Sequence, residues 1–372
     1  MKQIFENAGI SVNGSNDCNL QVHDARLWNR IRLRGSLGLG EAYMDGWWDC
    51  DAIDELSYLL LRHQTNRFPL PDIFQFALEL SARIVNYQKW SRAFQVGKAH
   101  YDIGNELFGH MLDKSMNYSC GYWRAGAGNL EDAQVHKMDL ICRKLNLREG
   151  MRLLDIGCGW GSLCKYAAEN YGVETVGLTV SRNQIEYAEE QCQGLPATFL
   201  YKDYRDITDT FDRIASVGMF EHVGSKNYKA FFDCARRCLK PEGRFLLHTI
   251  GSNETYYGAT SWHSKYIFPN GHLPSISQIG HAIENRFIME DVHNFGPDYD
   301  KTLLSWYQRF HENWEAIQSS YSEKYDERFY RMWRYYLLTC AGAFRARHLQ
   351  LWQWVLSPNG LPSNQCDGVR AS

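Results

Sequence analysis

Two periodicities divide this 372-residue chain. From about residue 104 onward, short apolar runs of strand length alternate with stretches whose apolar residues recur every three to four positions. The runs fall at 152–156, 174–178, 197–201, 211–217 and 243–250. Helical stretches lie between them at 162–170, 181–191 and 227–239, the last closed by the turn Lys240-Pro241-Glu242-Gly243. Strands that alternate with helices predict a doubly wound, mostly parallel α/β sheet. Beyond Ile250 the chain enters an aromatic insertion containing Tyr266-Ile267-Phe268-Pro269-Asn270-Gly271. It then returns with a strand near 287–293, two long helices at about 302–319 and 322–347, and a last strand near 350–357.

The first part of the chain reads differently. Residues 1–86 predict a small, mainly helical N-terminal domain, with helices at 53–62 and 72–86 separated by the breaker Pro69-Leu70-Pro71. Its run Gly35-Ser36-Leu37-Gly38-Leu39-Gly40 resembles a phosphate loop only superficially. No strand precedes it and no Lys-Ser/Thr follows, so helix and turn packing is the expected use. Residues 87–103 are read as a linker, and 104–372 as a second, larger domain. Around the linker Arg83, Lys89, Arg92 and Lys98 interleave with Tyr87, Trp90 and Phe94, with no acid between Leu80 and Tyr101. That composition suits a segment resting on anionic headgroups, and equally a solvated linker whose aromatics pack on the next domain.

Composition then narrows the class. Forty Lys+Arg against forty-three Asp+Glu leave a net charge of −3, so no global field favours nucleic acid. Aromatics reach 14%, which points to a greasy cleft or an interfacial surface. Eleven cysteines, odd in number and scattered without Cys-x-x-Cys, predict neither a disulfide framework nor a metal site. The N-terminus lacks the apolar stretch of a signal peptide and no run approaches the length of a membrane span. A soluble, cytoplasmic protein is expected.

The chemistry is announced by Leu154-Asp155-Ile156-Gly157-Cys158-Gly159-Trp160-Gly161. A buried strand ends in an acid and turns through alternate glycines into a helix, which presents free backbone N–H groups to a ligand. A dinucleotide fingerprint requires G-x-G-x-x-G with an acid after the second strand. The spacing here is G-x-G-x-G with the acid before it, which resembles class I S-adenosylmethionine methyltransferases, so a Rossmann-like domain of that class is expected. An NAD dehydrogenase is the alternative. The second strand ends Gly177-Leu178-Thr179-Val180-Ser181, with no acid for ribose hydroxyls, so Thr179 and Gln184 would have to supply that hydrogen bonding.

Further motifs are Gln95–Asn105, Asn117-Tyr118-Ser119-Cys120-Gly121-Tyr122-Trp123, Gly218-Met219-Phe220-Glu221-His222-Val223-Gly224, Lys265–Gly271 and Cys340-Ala341-Gly342-Ala343-Phe344-Arg345. Together they resemble the cyclopropane-fatty-acid synthase family over nearly the whole chain, the Gly35–Trp48 block included. The resemblance implies transfer of the S-adenosylmethionine methyl to a cis double bond of a phospholipid acyl chain. The carbocation so formed then loses a proton to a bound bicarbonate and closes to a cyclopropane.

On the family pattern, Glu221 and His248 hold the bicarbonate with Cys120, Tyr299 and the backbone of Ile250. Glu221 would act through its own O–H or through His248. Tyr118, Ser119, Asp155, Gly157, Cys158, Gly159, Gly161, Thr179, Ser181, Gln184, Tyr204 and Arg205 bind the methyl donor, the last two on the adenine side. His100, Tyr101 and Asp102 cover its methionine end.

An alkene is a poor nucleophile and the intermediate is a cation, so aromatic faces such as Tyr266 and Phe268 would stabilise it; plain core packing is the competing use. A glutamate after a strand also caps helices. Cys340 is a family candidate for catalysis, but direct attack on methyl leaves a thiolate no role, and a small buried residue on a packed helix is the favoured use. Docking on the inner face of the membrane is expected, through the 83–98 segment or the arginine-rich helix 325–347, and homodimerisation is implied by the resemblance alone. The rival readings are a methylase that adds a branch without closing the ring, and a lipid-binding protein without catalysis.

Overall fold

A computed structural model describes residues 2–63, 104–256 and 261–362. Seven strands form one sheet in the order β5-β4-β3-β6-β7-β9-β8. They are β3 (Arg152–Ile156), β4 (Glu174–Thr179), β5 (Ala197–Tyr201), β6 (Phe211–Val217), β7 (Leu239–Ser252), β8 (Ile288–Asn294) and β9 (Leu349–Ser357). The strands from β5 to β7 pair in parallel, while β9 runs antiparallel between β7 and β8. In β3 every residue after Arg152 is buried, as befits a central strand covered on both faces. Helices α5 (Leu130–Lys144), α6 (Ser162–Tyr171), α7 (Arg182–Gln191), α8 (Tyr228–Cys238) and α10 (Ile276–Ile283) accompany the sheet, and the short α9 (Ser261–Tyr266) lies between the last two in the chain. The expected doubly wound sheet is therefore present.

Three local readings needed correction. The turn expected at 240–243 lies inside β7, because the β6–β7 pairing slips between Phe211 and Arg213 and absorbs the extra residues as a bulge. The helix expected at 302–319 is instead α11 (Pro297–Glu312) followed by α12 (Trp314–Ser320). The break falls at Asn313, whose side-chain amide donates to the Arg309 and His110 carbonyls. The last helix, α13, spans Glu327–Arg345, starting where the Asp326 side chain accepts from the Phe329 N–H at 2.7 Å.

The N-terminal residues build α1 (Lys2–Asn7), α2 (Leu27–Met44), α3 (Ile53–Arg62) and a two-stranded ribbon of β1 (Gln21–Val22) and β2 (Trp48–Asp49). The glycine run sits in α2. Gly35 kinks it at φ +49°, and a Cβ on Gly40 would collide with the Trp262 indole, so these glycines serve close packing. Phe5, Ile31, Trp48 and Ile53 share one core with Phe108 of α4 (Asn105–Met111), Trp306 of α11 and Trp333 of α13. Arg345 clamps the seam, reaching Asp54 at 2.7 Å, Glu55 at 3.0 Å and Asp300 at 3.0 Å. The predicted helix at 72–86, the boundary at 86 and the linker lie outside the described residues.

Gly342 is the tightest point of this seam, since a Cβ there would meet the Asp54 carbonyl and the Ser57 side chain. Gly342→Ala is expected to destabilise the protein by about 1–3 kcal/mol through overpacking, read as a lower thermal midpoint. An unchanged midpoint would show that the seam yields freely.

Candidate active site

Everything expected of the cofactor turn converges at the carboxyl end of β3. Gly157, Gly159 and Gly161 adopt φ of +87°, +55° and +85°, and α6 begins at the next residue. Protein fills the space beside two of them: a Cβ on Gly157 would strike Met219, and one on Gly161 would strike Ala188 and Phe199. Beside Gly159 there is nothing within 4 Å, so the turn leaves open space at its middle glycine for a ligand. Asp155 is buried with Oδ1 unpaired, and burial pushes its carboxyl up to about 7, opposed by the Lys137 charge.

At the end of β4 the Thr179 hydroxyl donates to Gln184 Oε1 at 2.7 Å and accepts from the Ser181 N–H at 3.2 Å. This leaves the buried Gln184 amide nitrogen as an unused donor, which fits a ligand hydroxyl. After β5, Arg205 is bound to the buried Asp203 at 2.7 Å, so its guanidinium is committed within the protein, while the Tyr204 ring packs edge-on against Phe231. Cys158 is buried against Gly177. His100, Tyr101 and Asp102 lie outside the described residues.

The second group of residues sits at the ends of β6 and β7. Glu221 is buried in a single 3₁₀ turn after β6, and its Oε1 accepts from the Ile250 N–H at 2.7 Å. Its Oε2 has no partner, and burial pushes the carboxyl up to about 7 despite the Ile250 bond. His248 does not touch Glu221 by any hydrogen bond: its Nδ1 pairs with Gln353 Nε2 at 3.2 Å, and its Nε2 is buried without a partner. Burial, reinforced by the Lys137 and Lys144 charges, holds the imidazole well below its usual range, so the ring is neutral.

Tyr299 stacks on Phe344 at 4.5 Å. Burial raises its phenol, and so do the negative charges that Cys120, Tyr118, Glu221 and Cys340 would carry. One site thus holds Tyr118, Cys120, Glu221, Tyr299 and Cys340. Cys340 keeps some access to solvent, yet burial pushes its thiol up to about 12, as for a group facing an internal cleft. Its Sγ lies 3.6 Å from Nε2 of His263, which burial holds near 4, so the pair is thiol and neutral imidazole.

The two aromatics singled out for cation stabilisation part company. Phe268 packs edge-on against Tyr336 and faces the His222 ring, beside Glu221. Tyr266 instead donates to Glu41 of α2 at 3.1 Å and carries Lys265 over its ring at 5.0 Å, so it belongs to the seam. The arginines of α13 are turned the same way. Arg331 reaches Asp49, Arg328 reaches Asp45 and Arg334 reaches the Asp51 carbonyl, which removes that helix as a basic membrane-facing surface.

Comparison with known proteins decides the family. The model of mycolic acid cyclopropane synthetases matches residues 88–354. The cyclopropane-fatty-acyl-phospholipid synthase of Escherichia coli strain K12 is 53% identical over 363 residues, covering 96% of this chain and 94% of that protein. The chain belongs to the cyclopropane synthase family. Cyclopropane mycolic acid synthase 1 of Mycobacterium tuberculosis is 35% identical over 69% of this chain and 95% of its own. Among solved structures, mycolic acid cyclopropane synthase CmaA1 complexed with SAH and CTAB superposes with a TM-score of 0.66 at 33% identity, over 71% of this chain and 97% of that one. As a member of the cyclopropane synthase family, the chain is an S-adenosylmethionine-dependent methyltransferase with the class I fold.

One residue of this cyclopropane synthase site escaped sequence reasoning. Lys137 is 2% exposed, and its ammonium donates to Asn117 Oδ1 and to Ser119 Oγ, both at 2.9 Å. Asn117 Oδ1 also accepts from Ser162, the first residue of α6, at 2.8 Å, and Asp113 holds the Asn117 amide. Lys137 therefore ties the loop bearing Tyr118, Ser119 and Cys120 to α5, and Asn117, which it holds, in turn meets the first residue of α6 beside the glycine turn. Burial lowers its pKa to about 8, opposed chiefly by Asp113. The signal was available: Ala133, Lys137, Ile141 and Lys144 share the core-facing stripe of α5, where a lysine is unexpected.

Proposed function

We propose that the chain transfers a methylene unit from S-adenosylmethionine to the cis double bond of unsaturated phospholipid acyl chains, forming a cyclopropane. The observation that carries this reading is the placing of two features at the carboxyl ends of neighbouring strands, one after β3 and the other after β6 and on β7. The glycine turn has room for a ligand, and beside it stand unpartnered polar atoms among aromatic rings: Glu221 Oε2, His248 Nε2 and the Tyr299 hydroxyl, which makes no hydrogen bond among the described residues.

The donor set fits both small molecules. Asp155, Gly159, Thr179 and Gln184 would hold the methyl donor, which supplies an electrophilic methyl when bound. Tyr118, Phe268, Tyr299, Trp306 and Tyr336 keep water from a cation and offer it π faces; Tyr118 and Tyr336 share a hydroxyl–hydroxyl bond of 2.8 Å that fixes both rings. A bicarbonate needs donors in a dry site, and a neutral His248 with its proton on Nε2, a Tyr299 O–H and a protonated Glu221 provide them. In this reading Glu221 orients the anion and receives no covalent bond, Cys120 and the Ile250 backbone complete the wall, and Cys340 packs.

Residues 1–86 are an N-terminal unit in this proposal, its described part sharing one core with α4, α11 and α13. The enzyme is a homodimer docked on the inner face of the bilayer, since an acyl double bond within lipid cannot diffuse to it. No helix among the described residues is long and apolar enough to cross a membrane. Incubation of purified protein with labelled S-adenosylmethionine and vesicles of unsaturated phospholipid, followed by mass spectrometry of the fatty acids, tests the reaction. Gain of one CH₂ with loss of the double bond is expected. Retention of unsaturation after methylation would identify a branching methylase instead, and absence of label in lipid would sink both.

A further inference from the structure

We infer that Gln353 is a positioning residue for His248, fixing the imidazole as the Nε2–H tautomer so that it donates a hydrogen bond to the anion in the site. The inference rests on the bicarbonate reading above for the identity of that anion, and on β-sheet register for the rest.

His248 on β7, Gln353 on β9 and His293 on β8 are direct cross-strand partners, His248 with Gln353 and Gln353 with His293. Partners in register point to the same face of the sheet, so the three side chains form a row leading away from the site. Gln353 is fully buried, and its amide nitrogen lies 3.2 Å from His248 Nδ1. An amide nitrogen only donates. Nδ1 must then accept, and the single proton of the neutral ring sits on Nε2, the nitrogen left without a partner. At the far end of the row Lys144 Nζ lies 3.1 Å from His293 Nδ1, and an ammonium likewise only donates. Both histidines therefore accept at Nδ1.

The choice of an amide over a carboxylate has a physical reason. A glutamate at 353 would accept a proton from Nδ1 and leave Nε2 with a lone pair facing an anion, or else charge the ring. Gln353 sets the tautomer and adds no charge to a buried row that already holds Lys144. Rotation of the amide by half a turn would reverse the assignment, and experiment separates the two.

The test uses the full-length enzyme with ¹⁵N-labelled histidine, the His248 signals being identified by their loss in His248→Gln. In the unaltered enzyme His248 should show a protonated Nε2 and an unprotonated Nδ1. Gln353→Glu should move the proton to Nδ1 or protonate both nitrogens. Gln353→Leu should leave a mixture of tautomers. Where Gln353→Glu moves the proton to Nδ1, the bicarbonate concentration needed for half-maximal activity should rise by about tenfold to a hundredfold, the loss expected when a hydrogen bond to a charged group is removed. Gln353→Leu should raise it only by the inverse of its remaining Nε2–H fraction, about twofold for an even mixture. The KM for S-adenosylmethionine should be unchanged in both.

An Nδ1-protonated His248 in the unaltered enzyme would overturn the inference without any variant. So would a Gln353→Glu enzyme with the original tautomer and bicarbonate dependence. If the unaltered enzyme ignores bicarbonate depletion, the anion reading fails, while the nitrogen signals still decide the role of Gln353.

Discussion

Glu221→Gln should lower turnover by about tenfold to a hundredfold, the loss expected when a hydrogen bond that orients a charged group is removed, and should make the protein more stable at pH 8. The two effects run in opposite directions for one reason. The Glu221 carboxyl is buried, only one oxygen is paired, and its pKa rises from the ordinary 4.5 to about 7. A carboxyl raised on folding favours the folded state fully below the unfolded value and loses that contribution as pH climbs through the folded value. Ionising Glu221 in the empty site at pH 8 therefore costs on the order of 3 kcal/mol. Gln carries no charge and can still accept from the Ile250 N–H. Unfolding by urea at pH 5 and pH 8 should show the variant gaining on the original protein mainly at the higher pH, and activity assays with bicarbonate varied should show the loss. Full activity in bicarbonate-depleted buffer would remove Glu221 from the role assigned to it. A stability gap independent of pH would mean its pKa is ordinary.

The second large effect is expected at Lys137. Lys137→Met keeps the aliphatic stem and deletes the ammonium that holds Asn117 and Ser119 on α5, and so positions Asn117 for its bond from Ser162 beside the glycine turn. The Ser119 hydroxyl and the Asp155 carboxylate then lose their compensating charge in a dry environment. Breaking a buried polar network in this way costs about 3–5 kcal/mol. The loop carrying Tyr118, Ser119 and Cys120 also loses its fastening. Calorimetric affinity for S-adenosylhomocysteine should fall at least about tenfold, the equivalent of a single lost hydrogen bond to a charged group. Lys144→Met is the matched control. It removes a buried lysine from the same stripe of α5, paired instead with His293, so it should lower stability and spare that affinity. Equal losses of affinity in both would show that Lys137 supports only the fold.

The sheet was legible because short, mainly apolar runs of strand length alternate with helical stretches. The strands at 152–156, 197–201 and 211–217 end where those runs end, although of these only β3 and β6 are largely buried while β5 lies at the edge. What escaped depended on contacts far along the chain. Asn313 interrupts α11 by turning its amide onto His110, some two hundred residues away, and no local pattern announces that. The residues after β7's Leu239 look like a Pro-Gly turn but extend the strand, because β6 offers a bulged partner. At the site, the G-x-G-x-G spacing placed the turn correctly since positive φ demands glycine. Tyr266 and Phe268 could not be told apart: two residues of separation on a short helix and its exit sent one to Glu41 and the other to Tyr336. Lys137 was readable in principle, as a charge on an apolar stripe.

Position 342 also bears on descent. Here it is glycine because the Asp54 carbonyl of α3 leaves no room for a β-carbon. A relative built without residues 2–62 would have no such carbonyl against its counterpart of α13. There the ban on a side chain is lifted. Across the family, then, the letter at this one helical site should register whether an N-terminal region is present, before any alignment of that region is attempted.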